Sequence, residues 1–386
     1  MEKKIGLISC HEVYNYGSQL MSLALQMMIE KLNLECEHIQ YISKHDRYYY
    51  KWLLFKLTNK ALWLHKKELK QKEKSIVNDV EQIEKMRNKK IFFDNFKKTY
   101  MSFSKKVEGY SSLKKLAEEY SCIILGSDQV WHPMNLEGNF KNMEFVPESI
   151  PKIVYGASFG VTTIPWYQKK RTKHYLDRIK YISTREIQGA KIVKELINLD
   201  IPVVLDPTLM ITKKEWNNKL NFKYNIKDKY IFVYFLGDNE KYRRQVKLLK
   251  EKTGLKVIAI DSYLMKNVNY IDIRADEVGP DEFVGLIKNA QYVCTDSFHG
   301  SVFSILNEKS FITFMRYKKN VKTSANSRIE SLFNQLNLLD RIYDDKNLYL
   351  QIIKPINYIE VNNLLNILRK QSNEYLTRAL KGCNIL

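Results

Sequence analysis

Hydrophobic positions along the chain alternate between short apolar runs and longer stretches with helical spacing. Ile5–Ser9 is a run of strand length, Asn15–Gly17 marks a turn, Ser18–Leu32 repeats apolar residues at three and four positions, and Glu35–Tyr41 is a second run. This is a βαβ opening. Cys122–Leu125, Lys152–Tyr155, Tyr181–Ser183 and Pro202–Leu205 predict further strands, with helices over Ser111–Glu119, Pro165–Arg178 and Glu186–Asn198. Strands alternating with helices predict a parallel sheet covered on both faces. The pattern restarts after Asp206-Pro207: Tyr230–Phe235, Lys256–Ile260, Gln291–Cys294 and Phe311–Phe314 predict strands, interleaved with helices near Glu240–Lys252, Asp281–Lys288 and His299–Leu306. A last helix is expected over Tyr358–Ala379, able to pack on either unit. The expected architecture is α/β, with two Rossmann-like domains at 1–210 and 211–386 whose parallel sheets face a cleft.

A basic stretch at about 44–100 interrupts the first unit, and its early part repays plotting at 3.6 residues per turn. Lys56, Lys60 and Lys67 fall on one narrow stripe, Trp52 and Trp63 border it, and apolar residues fill the rest. Such a helix suits the interface of an anionic membrane, with Trp at headgroup level. The same pattern also suits a helix packed on its own domain with a solvated lysine face. The second part, Lys66–Lys98, is expected to complete a helical hairpin.

Composition narrows the class. With 386 residues and 45% hydrophobic content the chain can build two cores, and its formal charge of +20 points to phosphate-rich or otherwise anionic partners. The excess charge lies in an amphipathic insertion rather than a groove-reading element, so nucleic acid is not an expected partner. Cys10, Cys36, Cys122, Cys294 and Cys383 contain no Cys-x-x-Cys pair and predict buried thiols in a reducing cytoplasm. No ligand cluster predicts a metal site. The run Ile5–Cys10 is too short for a signal peptide, and no apolar run is long enough to cross a bilayer.

Candidate chemistry sits in the polar turns that follow the predicted strands, where open α/β sheets place ligands. Thr295-Asp296-Ser297-Phe298-His299-Gly300 puts a carboxylate, a hydroxyl and an imidazole at a helix start, where free N–H groups favour an anion and His can move a proton near neutral pH. His299 is also readable as a satisfied histidine at a helix end. Asn15-Tyr16-Gly17-Ser18 offers hydrogen-bonding groups beside a glycine that permits close approach, or simply a helix cap. In Gly126-Ser127-Asp128-Gln129-Val130-Trp131, Asp128 suits orienting or deprotonating a hydroxyl, Ser127 and Gln129 suit a sugar or phosphate, and Trp131 suits stacking on a pyranose. The alternative is an Asx turn with a core Trp. Ser158 lies between two glycines, and Arg185 and Arg328 each start a helix where a guanidinium can clamp a carboxylate or phosphate. His132 directly follows Trp131. Asp206-Pro207 is expected to close a strand, and the lysine run 317–322 to form a basic loop.

Taken together and in order, these segments resemble the polysaccharide pyruvyltransferase family across nearly the whole chain. The matching pieces are Asn15–Ser18, Gly126–Trp131, Tyr155–Gly160, Ser183–Glu186, Val204–Thr208, Thr295–Gly300 and Asn326–Ile329; Met21 and His132 depart from the usual Gln and Asn. The resemblance implies a GT-B-like fold with its site between the domains, and transfer of a pyruvyl group from phosphoenolpyruvate to two hydroxyls of a sugar. The product would be a cyclic ketal on capsule, exopolysaccharide or cell-wall glycan. Within that scheme His299 is expected as the acid and Asp128 as the base; Ser297, Gly300, Arg328 and Arg185 as donor-binding; and Asn15, Tyr16, Gly17, Ser127, Gln129, Trp131 and Ser158 as acceptor-binding. The donor side is then the C-terminal domain, and phosphoenolpyruvate is a substrate, with no cofactor or metal required. The expected acceptor is a glycan or lipid-linked oligosaccharide, and the expected location is the cytoplasm, including the inner membrane face. Two other classes use the same features: a GT-B glycosyltransferase with a nucleotide-sugar donor, and a noncatalytic membrane-associated glycan-assembly protein.

Overall fold

The apolar runs expected as buried strands form two separate five-stranded sheets in a computed structural model that describes residues 4–43, 80–133, 140–222, 226, 228–260, 268–275, 278–316 and 326–386. Lys56, Lys60, Lys67, Trp52 and Trp63, and the lysine run 317–322, lie outside the described residues.

The first unit contains β1 (Ile5–Ile8), α1 (Tyr16–Glu30), β2 (Cys36–His38), β3 (Tyr41–Ile42), α2 (Val80–Tyr100), β4 (Val107–Glu108), α3 (Tyr110–Ala117), β5 (Cys122–Leu125), β6 (Lys152–Ala157), α4 (Trp166–Leu176), β7 (Tyr181–Thr184) and α5 (Ile187–Ile197). Its sheet has the order β2-β1-β5-β6-β7, all parallel, and β3 and β4 make a small parallel pair beside it. Two short helices, α6 (Pro207–Met210) and α7 (Lys213–Lys219), lead to the second unit. That unit contains β8 (Tyr230–Tyr234), α8 (Glu240–Thr253), β9 (Lys256–Ile260), β10 (Ile273–Ala275), α9 (Pro280–Asn289), β11 (Tyr292–Thr295), α10 (Phe298–Leu306), β12 (Ser310–Thr313), α11 (Ser327–Gln335), α12 (Leu348–Ile352) and α13 (Tyr358–Lys381). The second sheet runs β10-β9-β8-β11-β12, again all parallel.

Each sheet reverses its strand order once, between β1 and β5 in the first and between β8 and β11 in the second, and such switch points open a crevice at the carboxyl ends of the strands. Register decides what meets there. Ile8 pairs with Leu125, so the turns after β1 and β5 leave the first sheet side by side; Tyr234 pairs with Thr295, which does the same for β8 and β11.

The two sheets share a core. Leu20 and Leu23 of α1 and Leu209 and Met210 of α6 belong to one buried cluster with Ile124 of the first sheet and Phe232 of the second. Tyr16 stacks on Phe283 of α9 at 4.9 Å, and its hydroxyl donates to the Val278 carbonyl at 3.2 Å. Helix α13 starts on the second unit, where Tyr358 donates to the Lys309 carbonyl, and ends on the first, where Tyr375 donates to the Val154 carbonyl. It therefore belongs to neither unit alone. Phe93 and Phe96 of α2 are also buried, so the end of the basic insertion contributes to the core.

Some expected elements differ. Pro202–Leu205 forms only a single parallel bridge at Val203 to Thr184, because Pro202 has no N–H to extend the ladder and Asp206 caps α6 immediately afterwards. The run Glu35–Tyr41 splits, since the chain leaves β1 after Ile39, whose N–H donates to the Leu7 carbonyl, and Gln40 accepts instead from the Val107 N–H. Strand β10 is a three-residue edge strand with no apolar run to announce it. Among the described residues no helix is long and apolar enough to cross a membrane.

Candidate active site

Where the two switch points face each other lies a cavity of about 470 Å³, lined from the first sheet by residues such as Asn15, Ser18, Asp128 and Gln129 and from the second by Ser297, His299 and Arg328. Its walls form locally. Asn15 is extended and caps α1 by accepting from the Ser18 N–H; Gln19 donates to the carbonyls of His11 and Val13 and so ties the turn before the helix. Across the cavity, Ser297 caps α10 by accepting from the Gly300 N–H, and Asp296 accepts from the N–H groups of Leu236 and Gly237 at 2.7 Å each, binding the turn after β11 to the turn after β8.

A charge network lies behind these walls, centred on Asp206. The Asp206 carboxylate accepts from Arg185 Nη1 at 2.5 Å and from the hydroxyls of Thr208 and Ser127, and stands 3.6 Å from His299 Nε2, an ion-pair distance rather than a hydrogen bond. The second arm of Arg185 reaches Asp128 Oδ1 at 3.4 Å, while Asp128 Oδ2 accepts from Ser18 at 2.7 Å. Burial pushes both carboxyls upward. For Asp206 the charges of His299 and Arg185 overcome it and hold the group well below its ordinary range; for Asp128 Arg185 and then His299 do so, at about 2. Asp128 also has φ of +89°, a strained backbone for a non-glycine residue and one that aims its side chain into the cleft.

The cationic wall is built around Phe298. Arg185 Cζ lies 5.1 Å and Arg328 Cζ 5.5 Å from the centroid of its ring, so two guanidinium groups are packed on one aromatic side chain. Arg328 Nε is enclosed and has no hydrogen-bond partner among the described residues. Burial, and then the like charge of Arg185, lower Arg328 to about 10, which leaves it cationic near neutrality and in want of an anion.

Gly17 sits at the first turn of α1, where a Cβ would come within 2.0 Å of His299 Nδ1. Glycine is therefore needed so that the imidazole can approach the helix. Ala at a helical position ordinarily stabilises by about 1 kcal/mol relative to Gly. Gly17→Ala is instead expected to displace His299 and lower kcat by about 10²-fold, the scale of an ångström-sized misplacement. Steady-state kinetics alongside a thermal melt check this: unchanged kcat would show that the contact does not matter.

Of the expected site residues, Asn15, Asp128, Gln129, Ser297, His299 and Arg328 line the cavity; Gly17 touches His299, and Arg185 stands behind the wall. Others are corrected. Trp131, expected to stack on a sugar, is fully buried against Phe159 and Tyr175 and donates to the Lys141 carbonyl. Tyr16 is consumed in the contact between units. Ser127 and Ser158 are buried behind the cavity, Ser127 against Asp206 and Ser158 through its N–H to the Asp128 carbonyl. Gly300 is a packing residue, since a Cβ there would fall 2.5 Å from Thr295 Oγ1. His132 is buried and does not line the cavity.

Ser18, offered by the sequence as a hydrogen-bonding group or a helix cap, lines the cavity, whereas Asp206, Lys141 and Arg316 were not expected as site residues. Asp206 had a signal, because it follows the predicted run Pro202–Leu205 as Asp128 follows β5. Arg316, which holds Asp296 at 3.4 Å, comes from a turn after β12 with no motif around it. Among the described residues no group of three or more His, Cys, Asp or Glu side chains is arranged to hold a metal.

Two parallel α/β units that meet at their switch points over a cation-walled cleft define a GT-B-like protein. The chain belongs to the polysaccharide pyruvyl transferase family, whose family model matches residues 15–318. It is also similar in fold to the UDP-GlcNAc 2-epimerase of Neisseria meningitidis bound to UDP-GlcNAc, with a TM-score of 0.50, 11% identity and coverage of 97% of this chain and 100% of that one. The S. aureus MnaA–UDP structure gives a TM-score of 0.54 at 10% identity, over 100% and 98% of the two chains. The Methanocaldococcus jannaschii UDP-GlcNAc 2-epimerase gives 0.51 at 14% identity, over 99% of each. At these identities the likeness is one of fold. No curated protein matches the sequence.

Proposed function

We propose that this protein transfers a pyruvyl group from phosphoenolpyruvate to two hydroxyls of one sugar in a cell-envelope glycan, closing a cyclic ketal and releasing phosphate. The observation that carries the reading is the cationic wall of the cavity, with Arg328 packed on Phe298 and its Nε without a hydrogen-bond partner among the described residues, and with Lys141 and Arg316 in the same lining as His299. A donor with both a carboxylate and a phosphate answers that wall, and its enol carbon needs a proton at the same place. Family membership supplies the acceptor class.

In the proposed reaction His299 gives a proton to the methylene carbon of phosphoenolpyruvate, which becomes the methyl group of the ketal. The central carbon turns electrophilic, a sugar hydroxyl adds to it, and the carbon–oxygen bond to phosphate breaks. The second hydroxyl then adds to the same carbon. Of the two hydroxyl protons, one restores His299 and the other leaves with phosphate. A carboxyl held at about 2 is a weak base, so Asp128 is assigned to orienting Ser18 and Arg185 rather than to taking a proton.

The test compares donors by thermal melting. Phosphoenolpyruvate at 100 times its Kd should stabilise the fold by about 2.7 kcal/mol, and UDP-GlcNAc, bound in the N. meningitidis epimerase structure, should not. Incubation with an envelope glycan fraction should then release inorganic phosphate and add the mass of a pyruvyl ketal. Stabilisation by UDP-GlcNAc and not by phosphoenolpyruvate would replace this reading with a nucleotide-sugar enzyme. Arg328→Gln should weaken phosphoenolpyruvate binding by about 1.5–3 kcal/mol, the range for a hydrogen bond to a charged group.

A further inference from the structure

A second cavity, of about 1060 Å³, opens between α5 of the first unit and α11 of the second, and it shares Arg316 with the catalytic cavity. The two are therefore neighbouring chambers of one cleft. Their walls differ in chemistry. The inner one presents Arg328, Lys141 and Arg316 against the single carboxylate Asp128. The outer one holds Glu330, Asp344 and Asp345 against Lys191 and Arg316. Arg316 is engaged by Asp296, and among the described lining residues three carboxylates stand against two cations, a balance that disfavours a phosphate.

The rest of the outer wall suits a neutral polyol. Gln188, Asn239 and Asn334 contribute carboxamides, and the Ser331 hydroxyl has no hydrogen-bond partner in the described structure. Tyr242 and Tyr343 spend their hydroxyls on the carbonyls of Met315 and Lys346, which leaves ring surface as what they offer to the cavity. Exposed Ile187 and Leu339 also line it. Carboxylates and carboxamides bond sugar hydroxyls, and apolar and aromatic surface meets the C–H faces of the rings.

We propose that the outer cavity is a subsite for the acceptor, holding the sugars next to the one that is modified, as a neutral oligosaccharide laid between α5 and α11 that enters the inner cavity past Arg316. The proposal rests on the reading that the acceptor is a glycan. It places much of acceptor recognition on the C-terminal unit, whereas the sequence placed it on the turns after β1, β5 and β6.

An array of neutral hexose and N-acetylhexosamine oligomers, one to six sugars long, tests this with no donor present. Oligomers should bind where single sugars do not. In Glu330→Ala/Asn334→Ala, whose two side chains are exposed, that binding should weaken at least tenfold, while melting-point stabilisation by phosphoenolpyruvate stays at the wild-type value. Absence of oligomer binding, unchanged binding by the double variant, or loss of the phosphoenolpyruvate response in that variant alone would each overturn the proposal. The outcomes separate it from the donor assignment: if oligomers bind and the variant loses them while phosphoenolpyruvate stabilises neither protein, the subsite stands and the donor falls.

Discussion

His299→Ala is expected to lower kcat by about 10²–10⁴-fold, the usual contribution of a positioned acid or base, with little change in stabilisation by phosphoenolpyruvate. Among the described residues the imidazole is the one histidine side chain lining the candidate cavity. Its Nδ1 lies against the helix surface left open by Gly17 and its Nε2 faces Asp206, so the ring is held from both sides. The anion wall does not depend on it, because Arg328 is packed on Phe298. The α10 cap also survives, since it uses Ser297 and the Gly300 N–H. Phosphate release and melting point measured on the same preparation decide the matter: near-wild-type turnover in a folded variant removes His299 from the chemistry. His132 offers no substitute, being buried outside the cavity.

Arg185→Ala is expected to cost about 3–5 kcal/mol of stability, the penalty for stranding a buried charge. Asp206 would lose its 2.5 Å partner in a site where the carboxylate is only 1% exposed, and Asp128 would lose the cation 3.4 Å away. Arg185→Lys keeps the charge but cannot reach both carboxylates as a fork does, so it should recover part of the loss and not all. The pH dependence follows from the direction of the shifts. Both folded-state carboxyls lie below the ordinary 3.8, so the unfolded chain binds more protons below about that pH. Their stabilisation is therefore full above the unfolded value and disappears as pH falls, through about 2 for Asp128 and lower still for Asp206. Without Arg185 both carboxyls move upward and acid unfolding begins at higher pH. Urea midpoints between pH 2 and 7 for the two proteins measure this, and parallel curves would show that the network does not store stability.

Thr295–Gly300 shows how much of the site a sequence can carry. A polar turn between an apolar strand and a helix is a local pattern, and the structure puts Ser297 at the cap and His299 in the cavity. Gly126–Trp131 shows where that logic stops. The same turn sends Asp128 and Gln129 into the cleft and Trp131 into the core, and successive residues of one turn point in different directions that only the surrounding elements fix. Tyr16 is similar. Its neighbours Asn15 and Ser18 line the cavity while its own ring fills the contact with Phe283, a residue of the other unit.

The sequence by itself determined the central strands and the main helices, the two parallel units and the positions of the polar turns, because each depends on the apolar spacing of a few consecutive residues. Register and the shared core around α1 and α6 then decided which turns meet. Asp206 is the clearest case. In the sequence it closes a strand; in the fold it is the point where Arg185 and His299, from opposite units, meet one carboxylate. A charge network of that kind depends on distances of a few ångströms between residues far apart in the chain, and only tertiary packing sets them.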